Sequence, residues 1–433
     1  MMKTTQHLKR LYLLSVTAFL LILAGCTGLG IYAQIAVSEK IISGYLPQGI
    51  SPGKVCHITG ANVDNYDFFS SNTGLWVRNI TDRDSVTEST KWKRVSLNGW
   101  NAVQSMDATD NHIILTMVRV SGDTHEVGLF YFGSANFNPA TLSVDFQQIS
   151  GTNWTNPSHY YVARVFVPRS ASDDVYVNVL RTNKPFGEPE VDFVDSSLYH
   201  FSTITSGALP AALAGNWPAA LTSPVRYVDS AASDGTATLF SIIKDSNSTS
   251  GSSIVNSSGN AVTAAQVQVP VTGLTYMTGL GTGSGCFIGG GTAADSTGVY
   301  PVYATHSLSA DNWVKINGSS SDFQLGTFLD VSTTTAGSGK VLAGSHSLSS
   351  NSTNTPGIGY AEINVPGGSD PAAWTISSSN LTFAYSNNFL VSELHEASIQ
   401  AMAMHDGYVY ASTRGKGLWH INSAVNSPSW IQE

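Results

Sequence analysis

The sequence predicts an all-β protein built from many short antiparallel strands. Charged residues make up 12% of its 433 positions, about half the share of a typical globular chain. The chain has 40 glycines alongside abundant Ser, Thr and Asn, and it lacks long stretches rich in Leu, Glu, Lys and Ala. Frequent turn formers without helix-forming stretches favour short strands, and the 42% of apolar residues can supply a large core.

The protein is acidic, with a formal net charge of −9. The first 25 residues hold three basic residues and no acidic one, so the chain without them has a charge of −12. The sequence has no basic stripe that could neutralise phosphates. We therefore do not expect a nucleic-acid partner.

The N-terminal segment has the pattern of a secretory signal. Three basic residues, Lys3, Lys9 and Arg10, precede an uncharged and largely apolar stretch from Leu11 to Leu23. Those 13 residues match the h-region of a signal peptide and are too short to span a bilayer as a helix. The stretch ends in Leu-Ala-Gly-Cys at residues 23–26.

This Leu-Ala-Gly-Cys sequence resembles the lipobox of bacterial lipoproteins. The resemblance implies a signal peptide over residues 1–25 and cleavage before Cys26, which would then carry two or three acyl chains, palmitate among them. Such a number of chains gives stable membrane anchoring, where a single chain is marginal. Residues 26–50 would form the lipidated N-terminus and a tether. The expected location is the bacterial cell envelope, with the folded domain on the periplasmic or extracellular side.

An uncleaved helical anchor is the alternative for this segment, because no charge appears from Leu11 to Val37. Glycines interrupt that window at Gly25, Gly28 and Gly30, which favours the lipoprotein interpretation.

A recurring three-residue mark divides the rest of the chain into units. Tyr408–Trp419 reads YVYASTRGKGLW, and its strand, glycine-rich turn and second strand predict a hairpin. The small, aliphatic, aromatic mark of this hairpin recurs in weaker copies about every 57 residues. The seven copies begin at Gly74, Gly128, Ser197, Ser253, Gly298, Ile358 and Gly417. We expect the residues after the glycine in the best copies, Leu75, Trp76, Leu418 and Trp419, to pack between units.

A second mark, a Trp at the start of an alternating strand, follows several units. It occurs at Trp92, Trp313, Trp374 and Trp430. Each unit thus reads as an inner strand, a second strand, a third strand with the aromatic mark, and an outer strand led by Trp. Four antiparallel strands in about 57 residues is the size of a β-propeller blade, and seven blades of four strands would fill residues 51–433.

The pattern of Tyr410, Thr413 and Gly417-Leu418-Trp419 resembles the blade hairpin of sortilin-type and photosystem-assembly-factor-like propellers, relatives of the Asp-box repeat group. Of the Asp box itself, only the remnant Ser309–Trp313 is present. The kinship implies an alternative function, a glycan-processing hydrolase of the Asp-box kind. A sialidase would also require an arginine triad and an Arg-Ile-Pro-like motif near its start, and that motif is missing.

Other candidate chemical groups are weaker. With Cys26 used for lipid, Cys56 and Cys286 are expected to be separately buried thiols, with a disulfide as the alternative. Glu393–Glu396 could form an acid/base or metal cluster and Asp64–Asp67 a calcium ligand set, but a solvated loop and a turn into a strand are the favoured explanations. We therefore predict no catalytic residue, no metal site and no cofactor.

Propellers generally bind ligands at the axial mouth, where side chains from several blades converge. The predicted starts of the inner strands place Trp100, Tyr160, Arg226, Tyr276 and Gln400 there, with His159 and Gln324 beside them. Aromatic, arginine and amide side chains suit a protein loop, a peptide or a glycan. The sequence therefore predicts a membrane-anchored, non-catalytic binding or assembly module for an unknown protein or surface ligand. A structural surface lipoprotein with variable loops is a further alternative.

Overall fold

The computed structural model describes residue 46 and residues 52–81, 91–122, 124–185, 191–204, 208–222, 225–243, 253–262, 271–277, 285–291, 301–305, 313–315, 327–330, 338–344, 359–364, 381–384, 398–414, 416–422 and 430–433. Their regular structure is almost entirely β-strand, with one short helix, α1 (Trp217–Thr222), and a 3-10 turn at Ser134–Asn136. The predicted all-β class is confirmed. None of the helices in these ranges is long and apolar enough to cross a membrane.

The strands form seven consecutive antiparallel sheets over these ranges, each built from neighbours in the chain. Sheet 1 contains β1 (Pro52–Cys56), β2 (Tyr66–Ser71), β3 (Gly74–Asn79) and β4 (Lys93–Val95). Sheet 2 contains β5 (Ala102–Ala108), β6 (His112–Ser121) and β7 (Thr124–Gly133); a small pair, β8 (Phe137–Asn138) and β9 (Ser143–Val144), precedes β10 (Gln147–Gln148) and β11 (Trp154–Thr155), which both pair with β7. Sheet 3 contains β12 (Tyr160–Phe166), β13 (Val175–Thr182) and β14 (Phe193–Phe201).

The remaining sheets continue in the same order. Sheet 4 contains β15 (Tyr227–Ser233), β16 (Thr238–Ile243) and β17 (Ser253–Asn256). Sheet 5 contains β18 (Val271–Met277), β19 (Cys286–Gly291), β20 (Val302–Thr305) and β21 (Val314–Lys315). Sheet 6 contains β22 (Thr327–Asp330), β23 (Ser338–Gly344), β24 (Gly359–Asn364) and β25 (Leu381–Ala384). Sheet 7 contains β26 (Ser398–His405), β27 (Tyr408–Arg414), β28 (Leu418–Asn422) and β29 (Ile431–Gln432).

The sheets bury both of their faces, and β6 shows how the sequence achieves this. Successive side chains of a strand point to opposite faces. Ile113 and Leu115 accordingly lie in the core between sheets 1 and 2, whereas Ile114 lies in the core between sheets 2 and 3. A continuous apolar run is therefore required in a strand that is covered on both sides.

The first strand of every sheet contacts the first strand of the next, and β26 of sheet 7 contacts β1 of sheet 1. The inner strands therefore form a closed ring, which is the architecture of a β-propeller. This confirms the propeller class. Among the described residues, sheets 3 and 4 have three strands and sheet 2 has five. The count of seven blades with four strands each therefore stays a prediction. The domain boundaries at residues 1–25, 26–50 and 51–433 also stay a prediction.

Side chains on the inner strands bind the backbone of the next sheet. Gln104 donates from Nε2 to Tyr161 O (3.2 Å) and accepts at Oε1 from Ala163 N (2.8 Å), and Asp107 Oδ2 accepts from Val167 N (2.8 Å). Residue numbers increase in the same direction along β5 and along the residues in and directly after β12 that they contact, so these two inner strands are parallel. The same relation holds for β15 and β18, where Asp229 and Ser230 accept from successive backbone N–H groups of β18.

The aromatic marks lie in the third strands, as predicted, wherever the structure describes them. Trp92, Trp313 and Trp430 directly precede the outer strands β4, β21 and β29. Trp374 and Gly298 lie outside the described residues. The outer strand of sheet 6 is Leu381–Ala384, later than the mark at Trp374 predicts.

The predicted hairpin near the end of the chain is confirmed, with Tyr410 opposite His420 and Ser412 opposite Leu418. Gly417 has a φ of 78°, a left-handed conformation that favours glycine. Leu418 packs towards sheet 1 and Trp419 towards sheet 6. The marks therefore pack between sheets, as expected.

Leu75 and Trp76 pack in the same way, towards sheets 2 and 7 respectively. Cys56 and Cys286 are both buried and neither forms a disulfide, which confirms separate thiols. Burial raises the pKa of the Cys56 thiol, so it is protonated at neutral pH.

Candidate functional site at the junction of the first and last sheets

The contact between sheets 1 and 7, here called the seam, closes the ring. Its apolar part joins Phe69, Trp76 and Trp92 of sheet 1 to Tyr410 and Leu418 of sheet 7. All of these side chains are buried, and Trp92 lies 6.5 Å from Tyr410 between ring centroids in an edge-on arrangement. Two groups of polar side chains are set into this apolar contact.

The first polar group consists of His57, Asp67, His405 and Tyr410. His57 directly follows β1, Asp67 is the second residue of β2, and His405 is the last residue of β26. Because β1 and β26 are neighbouring inner strands, the residues at their ends meet at one end of the ring, although 348 positions separate the two histidines. We call this group the His–Asp cluster.

Asp67 is the centre of the His–Asp cluster. Its side chain is fully buried, and Oδ2 accepts the hydroxyl of Tyr410 at 2.7 Å. Oδ1 faces both imidazoles, with His405 Nδ1 at 2.8 Å and His57 Nδ1 at 3.5 Å. The two imidazole rings stack with a centroid distance of 3.4 Å and an interplanar angle of 19°. The side chains of His57 and His405 are 18% and 15% exposed, so solvent reaches the imidazoles but not the carboxylate.

Two imidazoles and one carboxylate form a ligand set that metal ions use in proteins. One donor atom from each of the three residues lies within 4.8 Å of the others. Among the residues that the structure describes, this is the group with that property. Without a metal, the same atoms can form a hydrogen-bonded pair between His405 and Asp67.

The second polar group consists of Arg78, Trp92, His420 and Glu433. The Glu433 carboxylate is fully buried; Oε1 lies 2.5 Å from Arg78 Nη1 and 2.6 Å from His420 Nδ1, and Oε2 accepts from Trp92 Nε1 at 3.2 Å. Burial by itself would raise the pKa of Glu433. His420, Arg78 and Trp92 together outweigh burial and hold that pKa below its ordinary value.

The predicted mouth residues lie on five different sheets, and the structure places four of them near the start of an inner strand. Tyr160 is the first residue of β12, Arg226 directly precedes β15, Trp100 is two positions before β5, and Gln400 is the third residue of β26. Gln400 is exposed and the other three are half-buried.

Two of these side chains are engaged with neighbours in or beside sheet 2. Trp100 packs edge-on against Phe130 (5.1 Å between centroids), with Arg119 5.0 Å from the Trp100 ring centroid. Tyr160 packs against His125 of β7 at 5.4 Å. These contacts cover part of the surface of each ring.

The predicted position of Tyr276 at the start of an inner strand is wrong. Tyr276 is the second-last residue of β18 and packs at 4.9 Å against Phe287 of the same sheet. The strand begins earlier because Gly273, with a φ of 62°, lies where the register between β18 and β19 shifts. A glycine in a bulge has the same sequence signature as a glycine in a turn.

Several predicted positions lie outside the described residues, namely Cys26, Gln324 and Glu393–Glu396. His57, His405 and Glu433 were not predicted as site residues from the sequence, and Asp67 was predicted to be part of a turn. A signal exists in the repeat, since His57 and His405 occupy equivalent positions at the ends of the inner strands of the first and last units.

No protein-family model and no curated protein matches the chain. Solved structures do resemble it. YCF48 from Cyanidioschyzon merolae is 11% identical with a TM-score of 0.40, over 79% of this chain and 88% of that one. A sialidase from Trypanosoma rangeli in complex with sialic acid is 10% identical with a TM-score of 0.35, over 89% of this chain and 59% of that one. A prolyl endopeptidase is 9% identical with a TM-score of 0.41, over 86% of this chain and 45% of that one.

This chain thus spans less than two thirds of the sialidase and of the prolyl endopeptidase. Likeness at these TM-scores carries no information on activity or partner. The propeller class rests on the order of the sheets and on the closure of the inner strands.

Proposed function

We propose that this protein is a lipid-anchored propeller that acts as a non-catalytic binding or assembly module in the bacterial cell envelope. Cys26 carries the lipid, residues 26–50 form the tether, and the propeller lies on the periplasmic or extracellular side. Its partner is a protein or a surface ligand, which binds at the end of the ring where the inner strands begin.

The observation that supports this proposal is the position of residues from four different blades at that end. The inner strands form a closed ring, and Trp100, Tyr160, Arg226 and Gln400 lie at or near their starts. Aromatic and arginine side chains are frequent among the residues that dominate binding energy at interfaces. A mouth of this composition suits a protein loop or a glycan better than a nucleic acid, given the acidic chain.

The charged groups of the inner strands support a role without catalysis. Asp107 pairs with Lys54 and accepts from Val167 N directly after β12, and Asp229 accepts from the backbone of β18. Arg164 donates from Nη1 to Val228 O at 2.9 Å. These groups hold neighbouring sheets together, whereas a hydrolase would need carboxylates directed at a substrate. The alternative of a glycan-processing hydrolase has no specific observation in its favour among the described residues.

Photo-crosslinking in intact cells tests the proposal. A photoreactive amino acid replaces Gln400, which is exposed at the proposed binding end. The matched control replaces Lys93, which is exposed on the outer strand β4. We expect a discrete adduct from position 400 that position 93 does not give. Equal adducts from both positions, or none from position 400, would contradict binding at the mouth.

The same experiment tests the anchor through the fraction that holds the adduct. The adduct should be found in the membrane fraction, and Cys26→Ala should move it to the soluble fraction because the acyl chains are lost. If Cys26→Ala stays in the membrane, the lipoprotein interpretation is wrong and a helical anchor takes its place.

A further inference from the structure

The His–Asp cluster lies at the opposite end of the inner strands from the proposed mouth. His57 follows the end of β1 and His405 ends β26, whereas the mouth residues lie at the starts of inner strands. The cluster is therefore independent of the proposed binding surface, and its chemistry can be considered by itself.

The distances in the cluster fit the donor set of a small transition-metal ion. Donors bound tetrahedrally at about 2.0–2.1 Å lie about 3.3–3.4 Å apart. Asp67 Oδ1 lies 3.5 Å from His57 Nδ1 and 2.8 Å from His405 Nδ1. His57 Nδ1 also lies 3.1 Å from Tyr66 O, and the two imidazole rings are stacked, so an ion would replace the contact with Tyr66 O and both rings would turn towards it. The imidazoles are partly exposed, so water can reach them.

The surrounding residues orient these donors. Tyr410 donates to Oδ2 of Asp67, which leaves Oδ1 facing the two histidines. Nε2 of His405 lies 3.7 Å from the carboxylate of Asp406, on the side of the ring away from Asp67. Metal-ligating histidines are commonly oriented in this way by a carboxylate near the other ring nitrogen.

The local charge also admits a cation. Arg78 lies opposite Asp67 across β2 and β3, which would oppose a metal if the guanidinium were unmatched. The guanidinium is paired with the buried Glu433 at 2.5 Å. This pairing reduces the positive charge that Arg78 presents beside the cluster.

We propose that His57, Asp67 and His405 bind one divalent transition-metal ion of the Zn²⁺, Co²⁺, Ni²⁺ or Cu²⁺ class, and that this ion links the first sheet to the last. Imidazole nitrogens with one carboxylate select such ions over Mg²⁺ and Ca²⁺, which prefer all-oxygen sites. His57 lies in the loop after β1, Asp67 lies in β2 of sheet 1, and His405 lies in sheet 7. Metal binding therefore stabilises the closed ring.

Zinc titration of the full chain tests this proposal. The protein is purified without a histidine tag, treated with a chelator and titrated calorimetrically with Zn²⁺. We expect one ion per chain, and we expect His57→Gln and His405→Gln each to lose more than about 100-fold in affinity. Tyr410→Phe, which removes the bond to Oδ2, should lose about 10-fold to 100-fold.

His200→Gln is the matched control. His200 Nε2 lies 2.8 Å from Asp174 Oδ1, the same separation as in the pair of His405 with Asp67, without belonging to the cluster. Its loss should leave zinc affinity unchanged. Zinc should also raise the thermal unfolding midpoint of the wild type and of His200→Gln, but not that of His405→Gln.

Several results would overturn the proposal. They are the absence of stoichiometric zinc binding, an affinity that His57→Gln leaves unchanged, or an equal zinc-dependent rise in midpoint in His405→Gln. If the variants fail to fold, the wild type alone still tests the proposal. The electron paramagnetic resonance spectrum of Cu²⁺ bound to it should show coupling to two imidazole nitrogens. A spectrum without imidazole coupling would refute the assignment.

Discussion

At the scale of single residues, the seam is held by two reciprocal carboxylates. Asp67 of sheet 1 is buried against Tyr410 and His405 of sheet 7. Glu433, which follows the last strand of sheet 7, is buried against Arg78 and Trp92 of sheet 1. Each carboxylate has lost its water and depends on partners from the opposite sheet. Removing one partner of such a pair leaves the other as an uncompensated charge.

Glu433→Gln tests this dependence, because it leaves the Arg78 guanidinium buried without its carboxylate. We expect the free energy of unfolding to fall by about 3 kcal/mol, measured by urea denaturation. Glu126→Gln is the control, since Glu126 pairs with Arg119, whose side chain is 47% exposed. That change should cost less than about 1 kcal/mol. Equal effects of the two substitutions would contradict the account.

The pH dependence of the Glu433→Gln effect has a definite sign. The pKa of Glu433 is lower in the folded protein than its ordinary value, so the folded state favours the carboxylate. Its contribution is therefore complete above the unfolded pKa of about 4.3 and is lost as the pH falls through the lower folded pKa. The stability difference between wild type and Glu433→Gln should be constant near neutral pH and should narrow below about pH 4. A difference that widens with acidity would contradict the lowered pKa.

Among the described secondary-structure elements, five of the seven inner strands contain a bulge, and in β5 the bulged residue links two sheets. The pairing register shifts within β1, β5, β15, β18 and β26. In β5 the shift lies at Gln104, whose amide makes both hydrogen bonds to β12. In β26 it lies at Gln400, whose side chain is exposed.

Gln104→Ala and Gln400→Ala form a matched pair at equivalent bulges. Gln104→Ala removes the acceptor of the Ala163 N–H in a region where Ala163 is fully buried. We expect a loss of about 1–3 kcal/mol in the free energy of unfolding. Gln400→Ala should change it by less than about 0.5 kcal/mol, because an exposed amide is satisfied by water. Similar losses at both positions would show that the bulges do not act through these bonds.

Strand order could be predicted from the sequence because its signals are local. The aromatic marks at Gly74, Gly128, Ser197 and Gly417 correctly identified third strands, and Trp92 and Trp430 identified outer strands. Tyr276 was wrongly predicted to begin an inner strand, because Gly273 lies in a bulge within that strand and has the sequence signature of a turn. The candidate site could not be predicted, because ring closure joins residues more than 330 positions apart in sequence. The positions of His57 and His405 at the ends of inner strands become informative only once the first and last units are known to be neighbours.

At the scale of the whole molecule, stability depends on closure of the ring. Each sheet has two apolar faces, and only the neighbouring sheets cover them. Sheet 7 covers Leu342 of sheet 6 on one face, and Phe69, Trp76 and Trp92 of sheet 1 on the other. Without sheet 7, both of these faces would be exposed to water, together with the buried Arg78 and Asp67 of the seam.

We infer that the first and last sheets close one cooperative ring. Truncation after Asn387 removes sheet 7 and tests this closure when urea unfolding is followed by circular dichroism. A chain without residues 1–25 is the control, since it keeps every described residue. We expect the truncated chain to lose its cooperative transition and the control to keep it. A soluble truncated chain with a cooperative transition near that of the control would contradict closure as the source of stability.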